Sequence, residues 1–178
     1  MPTYRYETHC HTAPVSKCAR ADVRETVEFY KSEGYDGLFI TNHFLDGNIN
    51  IPRESDMSYV DRIEFYFSDY EEAEKIGREI GIKVFPGVEM SYCGTDFLVY
   101  GLDKAWFLSH PEIMEMKKSE ELPFLISEGA LVVHAHPFSE NANINHIRLY
   151  PRCVQAVEIL NSTRTVHENK MAKIFAEE

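Results

Sequence analysis

Residues 37–43 read Gly-Leu-Phe-Ile-Thr-Asn-His, a short apolar run that ends in polar residues and a histidine. A continuous apolar run of this length is typical of a strand that is buried on both faces, as in a parallel sheet. A helical pattern precedes it, since Val23, Val27 and Tyr30 recur at helical spacing within residues 21–33. The stretch therefore predicts a strand–helix protein with a histidine just after its second strand.

The same alternation of strand and helix continues along the chain. The predicted strands cover residues 4–9, 37–41, 83–89, 97–101, 130–134 and 154–159. The predicted helices cover residues 21–33, 60–80, 111–128 and 166–178, with an interruption near Pro123 and a long polar loop over 44–59. Repeated alternation of this kind is typical of α/β folds with a parallel sheet or a barrel.

Polar residues suited to chemistry follow these strands. The ends carry His9 and His11, His43, Glu89, His134 and His136, and finally Glu158 and Asn161. Five of the eight histidines lie there, and the carboxyl ends of parallel strands meet at one edge of a sheet. Each residue taken alone fits an ordinary turn or loop cap. Together they predict a site where neutral imidazoles and a carboxylate converge on divalent cations.

The His9-Cys10-His11 sequence is informative because side chains alternate along a strand. Residues i and i+2 point to the same face, so His9 and His11 are expected to project together. Cys10 is expected to face the opposite way, into packing. None of the four cysteines forms a Cys-x-x-Cys pair, so we expect reduced thiols and metal ligands drawn from His and carboxylate.

Composition limits the class of protein. The chain has 178 residues, 44% hydrophobic and 26% charged, which fits one domain over residues 1–178. A net charge of −11 argues against binding to extended nucleic acid, and it is compatible with bound cations. The sequence shows no apolar run of membrane-spanning length and no signal peptide, so we expect a cytoplasmic protein without a membrane partner.

These motifs resemble the PHP family, named for polymerase and histidinol phosphatase enzymes. The resemblance rests on His9-Cys10-His11, the stretch from Gly34 to His43, Pro86-Gly87-Val88-Glu89, Ala135-His136-Pro137 and residues 157–161. It implies a distorted (β/α)7-type barrel that holds two or three divalent metal ions. Zn, Mn or Fe are the expected metals, with Mg as a further option. The implied activity is phosphoester hydrolysis by a metal-bound hydroxide.

The resemblance also implies roles for individual residues. His9, His11 and Glu89 would hold one metal, and Glu89 would bridge to a second metal bound by His136. His43 would face a third metal.

Asp96 and His134 are two further candidates that the family motifs do not include directly. Asp96 stands before a predicted strand and is either an oxygen ligand or a strand-start residue facing water. His134 would share a face with His136 if the strand continued. We expect His43 or His134 to serve as the general acid for the leaving group.

Two departures from the family pattern bear on activity. Residues 13–17, after His-x-His, contain no strong ligand, although the family often has an acidic residue or a histidine there. The family's final Asp-x-His motif is not found after His136. We therefore expect the chain to lack the last strand of the barrel, as if truncated at its C-terminus. At most two metals and weak hydrolysis would follow.

The expected substrate is a phosphorylated small molecule or a nucleotide. Two alternatives remain open at this point. One is a PHP-fold binding or regulatory domain with an impaired site. The other is a 3'-5' exonuclease that acts on short nucleic-acid ends.

Overall fold

A computed structural model of the protein describes residues 3–51, 56–140, 144 and 146–178. The strands are β1 (Tyr6–Cys10), β2 (Gly37–Ile40), β3 (Lys83–Tyr92), β4 (Thr95–Tyr100), β5 (Leu131–Ala135) and β6 (Ala156–Val157). The helices are α1 (Val23–Ser32), α2 (Tyr59–Ile80), α3 (Lys104–Ser109), α4 (Lys118–Ser127) and α5 (Val166–Glu177), with a 3₁₀ segment over Pro111–Glu115. Residues 52–55 of the predicted polar loop lie outside the described residues.

The strands form one curled sheet in the order β1-β2-β3-β4-β5-β6, which makes a half-barrel. Strands β1, β2 and β3 are parallel, and β5 is parallel to β6. Strand β4 runs antiparallel to both of its neighbours. The expected distorted barrel agrees with this curled α/β architecture, in which β4 alone departs from the parallel direction among the described strands.

The direction of β4 follows from the turn before it. Only Cys93 and Gly94 separate β3 from β4, and both have a positive φ, of 52° and 82°. Two central residues with positive φ form the tight turn that suits the twist of an antiparallel hairpin. A crossover to a parallel neighbour would need a dozen or more residues.

The curl brings the two edges of the sheet together. The Tyr100 hydroxyl on β4 donates a hydrogen bond to the Thr8 carbonyl on β1 at 2.6 Å. His9 on β1 contacts Glu158, which follows β6, with 2.9 Å between Nδ1 and Oε1. Groups from the first and the last strand can therefore share one site.

Local signals explain where the helices begin and end. Ser58 and Asp61 form a reciprocal capping box that starts α2, and Gly81 ends it in a left-handed conformation with φ 77°. Gly34 follows the end of α1 with φ 76°, a left-handed conformation that glycine commonly supplies just after a helix. The predicted helix over 111–128 is instead divided into the 3₁₀ segment and α4, which contains Pro123.

Two clusters of buried side chains hold the fold together. The larger packs Phe44, Phe67 and Phe107 between the sheet and the helices that cover it. The smaller joins α1 and α2 to the first strands and includes Cys10, which is 6% exposed. The prediction that Cys10 faces packing is confirmed. Within the described residues, no helix combines the length and the apolar character needed to cross a membrane.

Candidate metal centre

The loops that follow β1 and β2 are anchored by a buried polar network. The Asp69 carboxylate on α2 is 2% exposed and accepts hydrogen bonds from the Thr12 hydroxyl at 2.7 Å and the Asn42 amide at 3.1 Å. The Thr12 backbone N–H donates to the Asn42 side chain at 2.7 Å. Buried polar groups paired in this way fix the loop geometry. His11 and His43, which adjoin this network, are thereby held at one edge of the sheet.

Glu89 at the carboxyl half of β3 lies at the centre of a histidine cluster and is 1% exposed. Its Oε1 lies 3.2 Å from Nε2 of His9 and 3.2 Å from Nε2 of His136. Its Oε2 lies 2.9 Å from Nδ1 of His43 and 3.2 Å from Nε2 of His11. Each carboxylate oxygen is therefore shared by two imidazoles.

These separations match those between ligands of a common cation. Nitrogen and oxygen ligands at about 2.0–2.2 Å from a metal ion are roughly 3.0–3.5 Å from one another. The Nε2 atoms of His9 and His11 are 3.0 Å apart. Two neutral imidazole nitrogens that approach this closely need either a proton or a cation between them.

Two buried atoms strengthen the case for a cation. His43 Nδ1 and Glu89 Oε2 are both enclosed, and neither has a hydrogen-bond partner among the described residues although they are 2.9 Å apart. Almost all buried polar atoms have a hydrogen-bond partner, so two neighbouring atoms that lack one call for an explanation. A divalent cation between them satisfies both, and the residues present fit such a group.

The electrostatics of the cluster point the same way. Burial raises the pKa of Glu89, but the four histidines around its oxygens outweigh it and hold the pKa well below its usual range. Burial lowers the pKa of His9 and His43, yet the proximity of His9 to Glu158 and Glu89, and of His43 to Cys18 and Glu89, raises both pKa values to about 10. The buried negative charge thus requires positive charge beside it, from protons or from cations.

Asp96 joins this cluster because β4 is antiparallel. Its pairing with Ser91 on β3 and Ala135 on β5 places it at the edge where those strands end. Its Oδ2 is 3.8 Å from His136 Nε2, and the Ser91 hydroxyl donates to Oδ1 at 2.5 Å. Burial and the charge of Glu89 raise the pKa of Asp96. The side chain is 15% exposed, so the interpretation of a residue facing water is wrong.

Glu158 was noted at a strand end but was not predicted to act on the cluster. Its Oε1 lies 2.9 Å from His9 Nδ1, on the opposite side of the ring from Glu89. Its Oε2 accepts the backbone N–H of His136 at 2.8 Å, and the Asn161 amide donates to both oxygens. Burial raises the pKa of Glu158, but His9 outweighs it and lowers the pKa.

Three solved structures resemble this chain over most of its length. A protein from Bifidobacterium adolescentis, assigned by prediction as a metal-dependent phosphoesterase, matches 99% of this chain and 84% of its own, with 12% identity and a TM-score of 0.62. A two-domain protein from Bacteroides vulgatus, named as containing a PHP-like metal-dependent phosphoesterase, matches 88% of this chain and 44% of its own, with 14% identity and a TM-score of 0.62.

The third structure is an amidohydrolase from Chromobacterium violaceum with bound sulfate and no metal. It matches 97% of this chain and 83% of its own, with 12% identity and a TM-score of 0.60. The chain has a PHP-type fold. No protein-family model and no curated protein matches the sequence.

Within this PHP-type fold, His134 does not join the cluster. It is fully buried, its ring stacks on Phe97 with 5.2 Å between centroids, and burial lowers its pKa to about 4. Neither of its ring nitrogens has a hydrogen-bond partner among the described residues.

The condition under which His134 would share a face with His136, that the strand continues, is not met. Strand β5 ends at Ala135, and His136 has a left-handed backbone with φ 26°. The alternation that would place residues i and i+2 on one face therefore stops between them.

Cys18 reaches the cluster and was missed by sequence analysis. Its Sγ lies 3.5 Å from His11 Nδ1, and it forms a group with His11 and His43 in which possible ligand atoms all lie within 4.8 Å of one another. Burial raises the pKa of this thiol, but the two histidines outweigh it and lower the pKa to about 6. Cys18 lies one position beyond residues 13–17, the stretch after His-x-His in which the family pattern leads one to expect a ligand.

The cluster opens into a cleft of about 1280 Å³. Phe29, Tyr30 and Tyr35 line one part of it, and Ser162, Thr163 and Arg164 line another. The Arg164 guanidinium is steadied by hydrogen bonds from Nη1 to Ser139 Oγ at 2.7 Å and from Nε to Thr163 Oγ1 at 3.2 Å. A substrate of small-molecule size fits the volume of this cleft.

Proposed function

We propose that the protein is a metal-dependent hydrolase that cleaves the phosphate ester of a phosphorylated small molecule or nucleotide. The observation that carries this proposal is the Glu89 carboxylate, which is buried and shared by four histidines, with one oxygen unpaired among the described residues. The neighbours named as metal-dependent phosphoesterases support the same reaction class.

The proposed ligands surround Glu89. His9 and His11 would hold one cation with Glu89, and His136 would hold a second with Asp96. His43 faces Oε2, the oxygen that His11 also faces, and would bind there. A mixed set of imidazoles and carboxylates suits Zn²⁺, Mn²⁺ or Fe²⁺ better than Mg²⁺, which prefers an all-oxygen shell.

Bound divalent cations would supply positive charge to the phosphoryl oxygens and acidify a nucleophilic water. The charges of the side chains that line the cleft support this part of the proposal. Among its described lining residues are four carboxylates (Glu7, Glu89, Asp96 and Glu158) and a single Lys or Arg, Arg164. Without cations this cleft would repel a phosphate group. Arg164, held beside the cleft, is positioned to contact the phosphate or the leaving group.

The positions of His43 and His134, the two candidates for the general acid, support different roles for them. His43 directs Nδ1 at Glu89, and a nitrogen that binds a cation cannot donate a proton. His134 is enclosed by Phe97 and Tyr150 and does not line the cleft. We therefore assign His43 the role of ligand and give His134 no catalytic role.

The experiment uses protein purified without chelators, with its metals counted per chain. Hydrolysis is measured on a phosphate monoester, a phosphate diester, a short oligonucleotide and a carboxamide, for the wild-type protein and for Glu89→Gln. The proposal expects metal-dependent release of phosphate that is lost, together with most of the bound metal, in Glu89→Gln.

Other outcomes would contradict the proposal in identifiable ways. Hydrolysis of the carboxamide alone would indicate an amidohydrolase, like one of the structural neighbours. Shortening of the oligonucleotide from its 3' end without cleavage of small esters would indicate an exonuclease. Tight metal binding without turnover of any ester would indicate a binding or regulatory domain.

A further inference from the structure

The cluster has a sulfur donor at its open end. Cys18 is exposed, and its Sγ lies 3.5 Å from Nδ1 of His11. A sulfur about 2.3 Å and a nitrogen about 2.0 Å from one tetrahedral zinc ion would be separated by about 3.5 Å. The thiol and this nitrogen, which also lies 3.2 Å from the Ser16 hydroxyl oxygen, are therefore spaced as two ligands of one cation.

Two independent features place this thiol within a built site. His43 faces Glu89 Oε2 with Nδ1 at 2.9 Å, and His11 faces the same oxygen with Nε2 at 3.2 Å while its Nδ1 faces Cys18. Glu89 is 1% exposed, and that oxygen has no hydrogen-bond partner among the described residues. An enclosed, unpaired carboxylate oxygen thus points at the two imidazoles that lie beside Cys18.

The loop that carries Cys18 is fixed against the end of β2. The Ser16 hydroxyl donates to Asn42 Oδ1 at 2.8 Å and accepts the backbone N–H of His43 at 3.0 Å. The Lys17 backbone N–H donates to the Asn48 carbonyl at 2.9 Å. These bonds tie the residues immediately before Cys18 to the residues around His43, so the sulfur is held close to the histidines.

We propose that Cys18 is a thiolate ligand of the metal centre, at the end formed with His11 and His43. This inference rests on the metal-binding part of the proposed function and does not depend on which ester is cleaved. Binding would release the thiol proton and the remaining ring proton of His11 to solvent, because His11 would use Nδ1 for this cation and Nε2 for the cation shared with His9. Thiolate favours Zn²⁺ over Mn²⁺ and Mg²⁺, so this end of the centre would select zinc-like cations.

The test is spectroscopic and independent of activity. Metal-free protein is titrated with Co²⁺, which takes the place of Zn²⁺ and gives a near-ultraviolet charge-transfer band when a thiolate binds it. Wild type is compared with Cys18→Ser, with Cys18→Asp and with a control, Cys93→Ser. Cys93 is exposed and lies outside every donor group found among the described residues.

The expected result is a band in wild type and in Cys93→Ser that is lost in Cys18→Ser. Cys18→Asp should bind as many Co²⁺ ions as wild type without the band, which would show that the loss is not a failure to fold. Co²⁺ binding without a thiolate band in wild type would overturn the role of Cys18 and leave the proposed hydrolase intact. A band that persists in Cys18→Ser would also overturn it. No Co²⁺ binding at all would overturn both proposals.

Discussion

Glu158 is expected to control metal affinity although it is not among the proposed ligands. One of its oxygens faces His9 Nδ1 at 2.9 Å, and the other accepts the backbone N–H of His136 at 2.8 Å. His9 and His136 both direct Nε2 at Glu89. A carboxylate behind a metal-binding histidine orients the ring and makes it a stronger ligand. Glu158 would do this for His9 and would also fix the backbone of His136.

The substitution Glu158→Gln keeps the shape of the side chain and replaces one acceptor oxygen with an NH₂ group. Either the contact with His9 or the contact with the His136 backbone must then be lost. A hydrogen bond to a charged acceptor contributes about 1.5–3 kcal/mol. At about 1.4 kcal/mol for each factor of ten, this is roughly a ten- to hundredfold loss of affinity. Losses of affinity of this size, about 10–100-fold, are typical when the hydrogen-bond partner of a metal-binding side chain is removed.

The measurement is calorimetric titration of the chelator-treated protein with Zn²⁺, paired with thermal unfolding of the metal-free form. Glu128→Gln is the matched control, because Glu128 accepts a hydrogen bond from the exposed edge of Trp106 at 3.1 Å and lies outside the cleft lining. A merely structural role would lower the unfolding temperature of Glu158→Gln and leave its affinity unchanged. An affinity within about threefold of wild type would refute the reasoning.

Three other perturbations have defined outcomes. Cys10→Ala should lower the free energy of unfolding by about 1 kcal/mol, because it removes a buried sulfur. The variant should bind as many metal ions as wild type, which would confirm that Cys10 is not a ligand. His134→Phe should leave the metal content unchanged and should not destabilise the fold, because it replaces a buried imidazole whose two nitrogens lack hydrogen-bond partners among the described residues with another ring that can stack on Phe97. Loss of metal in this variant would restore a role for His134 in the site. Removal of the metal with a chelator should lower the melting temperature, because free cation at about 100 times its dissociation constant stabilises the folded state by about 2.7 kcal/mol. Equal melting curves with and without the chelator would argue against a bound metal.

The candidate ligands could be recognised from the sequence because their positions depend on local structure. His9 and Glu89 lie in the carboxyl halves of β1 and β3, and His11 and His43 follow β1 and β2. The carboxyl ends of parallel strands share an edge whatever the details of packing. The orientation of Cys10 into the core followed from strand alternation alone.

The tertiary structure decided what those local rules cannot reach. The two-residue turn at Cys93–Gly94 reverses β4, and this reversal carries Asp96 to the site edge. The left-handed backbone of His136 ends the alternation in β5, which leaves His134 in the core.

The curl of the sheet places Glu158 against His9, although 149 positions separate them. Cys18 reaches His11 only through the hydrogen bonds of its loop to the end of β2. Residue type and strand pattern therefore determined which groups could bind a cation. Which of these groups meet at the site was decided by long-range contacts, and so was which groups only support the ligands, as Glu158 supports His9. These contacts depend on how the whole sheet curls and how its loops are held.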